Sequence, residues 1–455
     1  MGSPFAGRRL HLIGVGGAGM SGLALVARSL GAEVTGSDRA ESSYTERLRE
    51  SGLEPRIGHS ADALPAGAEV VVSTAIGDDN PELAAARAAG AQVLHRSDLL
   101  TEIAGLRRAI AVSGAHGKTT VAAMTAHALI EADRDPAYLV GGELRSTGVN
   151  AAWGNGPIVV EADESDRSFL KLSPEVAVVT NVELDHHTTY ASGAELEAAM
   201  AEFARSARVV VAWEWAADGL APGDRGRAVT YGIEGGDLAA EGVDMRPYGS
   251  RFSVDGVKVE LAVPGHHNVL NALAAFAACR EVGVEIAEAA AGLASFSGAG
   301  RRFEPRGHTE SGADVYDDYA HHPTEVRATL EAARELGAER VVACFQPHLF
   351  SRTRHLAREF GAALALADVV VALDVYPARE RPEDYPGVTG RLVAVAAADA
   401  ARGRPVFWAP RMADAESLLR SELRRGDALL TLGAGDVDRL AAALTSEQSP
   451  ELPRA

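Results

Sequence analysis

Cysteine is nearly missing from this chain of 455 residues, which has only Cys279 and Cys344. Both lie in apolar stretches, AAFAACREV and VVACFQ, so buried thiols are expected in place of a disulfide or a metal pair. A small disulfide scaffold is excluded, and a reducing compartment fits. Long apolar runs are missing as well. No stretch reaches 18 apolar residues, and the opening MGSPFAGRR has no long apolar segment, so neither an export signal nor a membrane span is expected and a cytoplasmic location follows. Positive charge is short: 44 Lys and Arg against 63 Asp and Glu leave a formal net charge of -19. That balance argues against a general nucleic-acid binder and against docking on anionic lipid. An anionic ligand would need a local nest of backbone amides and a few placed cations.

What is present is an ordinary globular balance, 47% hydrophobic and 24% charged, so wholesale disorder and fibrous repeats are excluded. The length predicts about three domains. Over the first hundred residues short apolar runs (LHLIGV, EVTG, EVVVST, AQVLH) alternate with helical patterns near 19–30 and 45–50, the rhythm of a parallel α/β sheet. That rhythm breaks at 104–108, which puts one boundary there. The strands IVVEAD, VAVVTN and RVVVAW follow, and YGSRFSVDGVKVEL carries an Asp255-Gly256 hairpin turn. A long apolar helix is expected near 268–282, and the Ser297 to Gly300 cluster marks a second boundary. Beyond it strand and helix alternate again: ADVYDDYA, a helix opened by Pro323, ERVVACFQP, a helix after Arg352, DVVVALDV, RPVFWA and DALLTLGAG. The tail SEQSPELPRA reads as a frayed end.

Two glycine turns carry the first chemistry. Gly14-Val15-Gly16-Gly17-Ala18-Gly19 follows the opening strand and starts a helix, so its amides can approach a diphosphate at the positive helix end. Taken alone it also fits a nicotinamide dinucleotide, with Asp38 near the usual ribose-binding acid. The second turn, Gly114-Ala115-His116-Gly117-Lys118-Thr119-Thr120, has the context of a phosphate loop, with Lys on terminal phosphates and a Thr hydroxyl on magnesium. It departs from the common pattern in having Val112 six residues before Lys118. Two nucleotides held at once are therefore expected.

Glu161, Asp163, Glu164 and Asp166 crowd the end of the next strand, where a magnesium-binding acid belongs. Glu161, the closest to the strand, is favoured over Asp163 and Glu164. A third strand end supplies Asn181, Glu183, Asp185, His186 and His187, and convergence of strand ends on one cleft is usual in open α/β sheets. The histidine pairs His186-His187, His266-His267 and His321-His322 do not suit zinc, because neighbours in extended chain point opposite ways and no cysteine accompanies them. Asn268 and Asn271 share a helix face and could read a base or order phosphates. Arg301-Arg302, Asp317-Asp318-Tyr319 and Gln346 to Arg354 add basic groups at a helix start that can grip a small carboxylate.

GVGGAGMSGLA, GAHGKTTV, EADESD, NVELDHH, GHHNVLNALAA, GRRFE, DDYAHHPTEV, FQPHLFSRTR and LTLGAGD, in that order, resemble the Mur ligase family across nearly the whole chain. The resemblance implies three α/β domains: a Rossmann-like domain over 1–106 for a UDP sugar, a central mixed-sheet P-loop ATPase-type domain over 107–299 for ATP, and a Rossmann-like domain over 300–455 for an amino acid. It implies an enzyme that joins L-alanine to the lactyl carboxylate of UDP-N-acetylmuramate through an acyl phosphate, with ATP and magnesium, in peptidoglycan precursor synthesis. It puts Lys118 on the ATP phosphates and Thr119, Glu161 and His186 around magnesium. Asn268 and Asn271 would act at the nucleotide, Arg302 and Asp318 at the junction with the third domain, and Tyr319, His348 and Arg352 around the amino acid. The family often has Arg where this chain has Leu349, which leaves the carboxylate to Arg352 alone or with Arg354. A monomer and a homodimer are both compatible. The competing readings are a ligase that attaches a preformed tripeptide in cell-wall recycling, a dehydrogenase that would leave Lys118 and the acids unemployed, and a non-catalytic nucleotide-binding regulator.

Overall fold

The computed structural model describes residues 3–186, 189–224 and 226–445. His187 and the tail from Ser446 onward lie outside the described residues. The chain forms two compact units, one of Met1–Ala239 with Asn271–Leu293 and one of Ala240–Leu270 with Ala294–Ala455.

The first unit holds two sheets. In the first, the strand Arg9–Ile13 lies between Glu33–Asp38 and Glu69–Val72, with Arg56–Ile57 and Val93–His95 outside them, all parallel. Strand order therefore reverses at Arg9–Ile13, and the glycine turn Gly14 to Gly19 sits at the carboxyl end of that strand, where such sheets bind ligands. Two helices of this sheet escaped the periodicity: Pro81–Ala88, capped by Asn80, and Arg96–Ala104, whose cap is His95 paired with Asp98. Both are short, but both carry readable start signals, a Pro at the first helical position and an acid three residues after the cap.

The second sheet has eight strands, and all its pairs are parallel except Ala137–Leu144 with Val149–Ala152. Ala109–Ser113 lies inside it between Val176–Val179 and Ile158–Glu161, so the phosphate loop, the acid cluster and the histidine segment leave the same sheet edge. One apolar core runs through both sheets of this unit. The helix Ala18–Ser29 reaches the second sheet through Gly22, where a Cβ would lie 3.1 Å from the Ala151 methyl. Asn150 Nδ2 also donates to Ala18 O at 2.7 Å.

The second unit opens with the antiparallel strands Glu241–Arg246, Gly249–Val254 and Val257–Leu261; the expected turn has Asp255 at φ 48° and Gly256 at φ 77°. Its six-stranded sheet runs Glu304–His308, Asp314–Asp318, Asp427–Leu432, Arg340–Phe345, Val369–Ala372, Val406–Trp408, parallel apart from the first pair. Apolar clusters cover it on two sides. Pro323 does open a helix, Pro323–Glu335. The other helix begins before Arg352, not after it: it spans Phe350–Leu364 and holds Arg352 in its first turn. Cys279 and Cys344 are both buried and free, and burial pushes each thiol up to about 12. The helix His266–Glu281 contains the boundary between the units.

Candidate active site

The phosphate loop is shaped by two glycines whose backbone angles and close neighbours would strain any side chain. Gly114 has φ 128°, and a Cβ there would lie 2.2 Å from Thr180 Oγ1; Gly117 has φ 82°, and its Cβ would lie 2.7 Å from Asn271 Oδ1. Gly117 caps the helix Lys118–Glu131, which leaves its first-turn amides at the loop. Asn181 holds the His116 backbone on both sides of its Cα, accepting from its N–H at 3.0 Å and donating to its carbonyl at 2.9 Å. Thr180 Oγ1 donates to the same carbonyl at 2.5 Å, and the His116 ring meets Glu183 at 3.0 Å. Asn181 was read from sequence as part of the third strand end; Thr180 was not singled out, because a Thr closing an apolar strand has no signature of its own.

Lys118 Nζ donates to Gly114 O at 2.5 Å and to Glu164 Oε1 at 3.1 Å. Burial works against the ammonium, but Glu164, Asp163 and Glu161 outweigh it and hold its pKa above the ordinary lysine range. His186 Nε2 lies 3.2 Å from the same Glu164 oxygen. Asp163, Glu164 and His186 bring ligand atoms within 4.8 Å of one another. Glu161, the acid favoured from sequence, has other partners here. Its Oε2 instead accepts from Thr119 Oγ1 at 2.9 Å and from the Gly141 amide at 2.8 Å. Glu164, at 1% side-chain exposure, is the acid that joins lysine to imidazole. Tyr190 fixes its backbone, the phenol donating to Glu164 O at 2.8 Å. Oxygen donors with one imidazole suit magnesium.

Arg96 is the other residue that sequence reading missed. It pairs with Asp163 at 2.9 Å and Asp166 at 3.4 Å. Enclosure alone would raise the Asp163 carboxyl, but Arg96, Lys118 and the Ser165 amide hold it well below the carboxylate range. Arg96 also lines a cleft of about 170 Å³ whose walls include Ala18, Gly19, Thr101, Glu161 and Asp163. The buried hydroxyl of Thr101 has no hydrogen-bond partner among the described residues. At the first glycine turn, Asp38 Oδ2 accepts from the Gly16 amide at 2.8 Å, so the acid expected at a ribose braces the turn itself. Gly17 caps the helix that Ala18 and Gly19 begin.

In the second unit Arg301 and Arg302 lie over the Tyr319 ring at 5.2 and 5.3 Å. Tyr319 meets His321 edge-on at 5.4 Å, and His321 meets His348 at 6.1 Å. Arg352, 4% exposed, points Nη1 at His348 Nδ1 at 3.3 Å. Arg302, Tyr319, His348 and Arg352 thus form one continuous array. Arg354 is outside it: two residues along the helix, it is exposed and stacks on Tyr385. Asn268 donates to Pro264 O at 2.7 Å and so closes its own helix start, while Asn271 faces the phosphate loop. His322 caps the helix Pro323–Glu335.

Asp318 Oδ2 accepts from the Phe303 amide at 2.7 Å and Oδ1 from Ala320 N at 2.8 Å. Burial pushes its pKa up to about 6, against the opposing pull of Arg302 and those amides. The folded state therefore holds this proton more tightly than the unfolded chain does. Between about pH 4 and 6 the Asp318 contribution to stability falls as pH rises, and above 6 its penalty is complete. Melting curves of Asp318→Asn should lose that slope relative to the parent; an unchanged difference across this window would place the titration elsewhere.

Comparison with known proteins adds three matches to family models: "Mur ligase family, catalytic domain" over residues 9–108, "Mur ligase middle domain" over 112–279 and "Mur ligase, glutamate ligase domain" over 301–435. A protein of Kineococcus radiotolerans named UDP-N-acetylmuramate--L-alanine ligase is 49% identical, with 94% of each chain covered. One of the same name from Streptomyces coelicolor is 46% identical over 98% of this chain and 99% of its own. Among solved structures, UDP-N-acetylmuramate-alanine ligase MurC of Thermotoga maritima superposes with TM-score 0.83 at 31% identity, covering 96% of this chain and 98% of that one. A murein peptide ligase of Psychrobacter arcticus shares the fold at TM-score 0.72 and 24% identity, over 98% of this chain and all of its own.

Proposed function

The chain belongs to the Mur ligase family, and on that premise we propose that it joins L-alanine to the lactyl carboxylate of UDP-N-acetylmuramate at the expense of ATP. The observation that carries this reading is the cleft of the first unit. Helix-start residues of the first glycine turn, Ala18 and Gly19, line it together with Glu161 and Asp163, and Asp163 adjoins Lys118 of the phosphate loop. An acid on a nucleotide sugar and the terminal phosphate of ATP could meet there. A dehydrogenase would have no use for the buried Lys118–Glu164–His186 cluster, and burying such charge without function is costly. Relatives 43–49% identical over nearly the whole chain carry the alanine name, which favours alanine over a tripeptide.

A carboxylate is a poor electrophile. In the proposed sequence the lactyl carboxylate attacks the γ-phosphorus, an acyl phosphate forms and ADP leaves. The alanine amine then attacks the acyl carbon, and the tetrahedral intermediate expels phosphate to leave the amide. Lys118 and the loop amides stabilise charge that spreads over the transferring phosphoryl oxygens. Magnesium, when bound, would supply positive charge that offsets the charge of the ATP phosphates, and Glu164, His186, Thr119 and Asp163 are the residues proposed to hold it, with Glu161 beside Thr119. Arg302, Asp318, Tyr319, His348 and Arg352 are assigned to the amino-acid end, and Asn271 to the nucleotide. Gly16 to Gly19 and Asp38 are assigned to the UDP end, Asp38 by shaping the turn. The division near residues 106 and 299 into UDP-sugar, ATP and amino-acid domains belongs to the same reading. So does a cytosolic location; among the described residues no helix is long and apolar enough to cross a membrane.

ADP release from ATP and magnesium with UDP-N-acetylmuramate tests the proposal, comparing no acceptor, L-alanine, glycine, L-serine and a tripeptide. Release should depend on L-alanine. Glycine differs by one methyl, so its kcat/KM should be lower by only about 10 to 200-fold. A larger ratio would refute a simple pocket, preference for the tripeptide would move the enzyme to recycling, and no release with any acceptor would reject the ligase.

A further inference from the structure

Leu349, the residue before the helix Phe350–Leu364, has φ 70° and ψ 132°. A side-chain-bearing residue adopts that conformation only when its surroundings compel it. They do so through the segment that follows the strand Val369–Ala372. The Leu349 amide donates to Tyr376 O at 2.9 Å and the Tyr376 amide to Pro347 O at 2.8 Å. The Tyr376 ring stacks on His348 at 5.8 Å, and Tyr385 stacks on Phe350 at 5.9 Å. Asp374 pins both ends of this strap, its Oδ1 accepting from Val375 N at 2.9 Å and from Gly390 N at 2.7 Å. At its middle Glu380 reaches the helix start, accepting from the Ser351 amide at 2.9 Å and the Ser351 hydroxyl at 2.5 Å. A carboxylate on a first-turn amide is favourable in itself. Here it also sets the turn that carries Arg352, which is buried against His348.

We propose that Glu380 is a positioning residue for the amino-acid end of the reaction, holding the strained Leu349 turn so that Arg352 and His348 keep their places. This rests on the assignment of Arg352 to the acceptor carboxylate. With Arg354 exposed and stacked on Tyr385, Arg352 is the guanidinium of this helix left for that grip, and its exact placement matters more. Glu380 touches Ser351 and Tyr385 and acts through Arg352.

The test is a cycle of Glu380→Gln, Arg352→Ala and the double variant in the full-length protein, with KM measured separately for L-alanine, ATP and UDP-N-acetylmuramate. Glu380→Gln should raise the alanine KM about tenfold, the scale of one charge-assisted hydrogen bond, and leave the other two within about twofold. Added to Arg352→Ala it should cost less than about a further twofold, because both changes remove one interaction. L-alaninamide, which lacks the carboxylate, should be used equally by parent and Glu380→Gln. Additive effects, a uniform rise in all three KM values or a tighter alanine KM would overturn the proposal. If Arg352→Ala raises the alanine KM and Glu380→Gln does not, the role of Glu380 alone fails. An alanine KM unmoved by Arg352→Ala removes the grip itself, and this inference with it.

Discussion

Replacing Lys118 with alanine is expected to lower ADP formation about a thousandfold while UDP-sugar binding survives, since the ammonium is the cation proposed to meet charge on the transferring phosphoryl group. The variant will also be less stable. Lys118 is the ion-pair partner of Glu164 at 3.0 Å, and Glu164 is 1% exposed, so its removal leaves a buried carboxylate beside Asp163. Breaking a buried pair in this way typically costs about 3–5 kcal/mol. Lys118→Ala with Glu164→Gln should therefore recover much of the melting temperature and none of the turnover. Recovery of turnover would mean that Lys118 serves the fold and not the phosphate. Loss of UDP-sugar binding in the single variant would point to a collapsed unit.

Glu164→Gln should produce the second large loss. Glu164 joins Lys118 to His186 and lies within the acid and imidazole cluster. Amidation removes the charge that balances Lys118 and weakens Glu164 as the proposed oxygen ligand, so turnover at saturating ATP should drop by about 100-fold or more, with the magnesium requirement moved to higher concentration. Glu161→Gln retains an acceptor for Thr119 and should cost about tenfold. A magnesium titration of the two variants decides between them. A larger shift for Glu161→Gln would return the metal to the strand end, and equal shifts would mean that both acids ligate it.

The order of these two acids shows where sequence reading stops. Glu161 is the last residue of its strand, and one of its oxygens meets Thr119 and Gly141 of a strand that the alternation pattern does not place beside it. Glu164 comes forward because the loop after the strand is tied back by Tyr190, twenty-six residues later. Arg96 was overlooked for a similar reason. It begins a short helix of the first sheet, and its partners Asp163 and Asp166 are 67 and 70 residues away. Asp38 was found at the right strand end, but its partner is the Gly16 amide.

By itself the sequence determined those features whose cause is local. Gly114, Gly117 and the Asp255-Gly256 turn follow from backbone angles that few residues adopt, Pro323 from a helix start that needs no N–H, and the strands from runs of β-branched residues. The ordered motifs determined the family for the same reason, since each is a short stretch whose chemistry is set within a few residues. Tertiary structure alone decided which acid meets His186, which arginine joins the array of rings, and what holds Leu349 in its strained turn. Those outcomes depend on groups brought together across long stretches of chain, where electrostatic and packing energies act on distance in space and leave no regular spacing in the sequence.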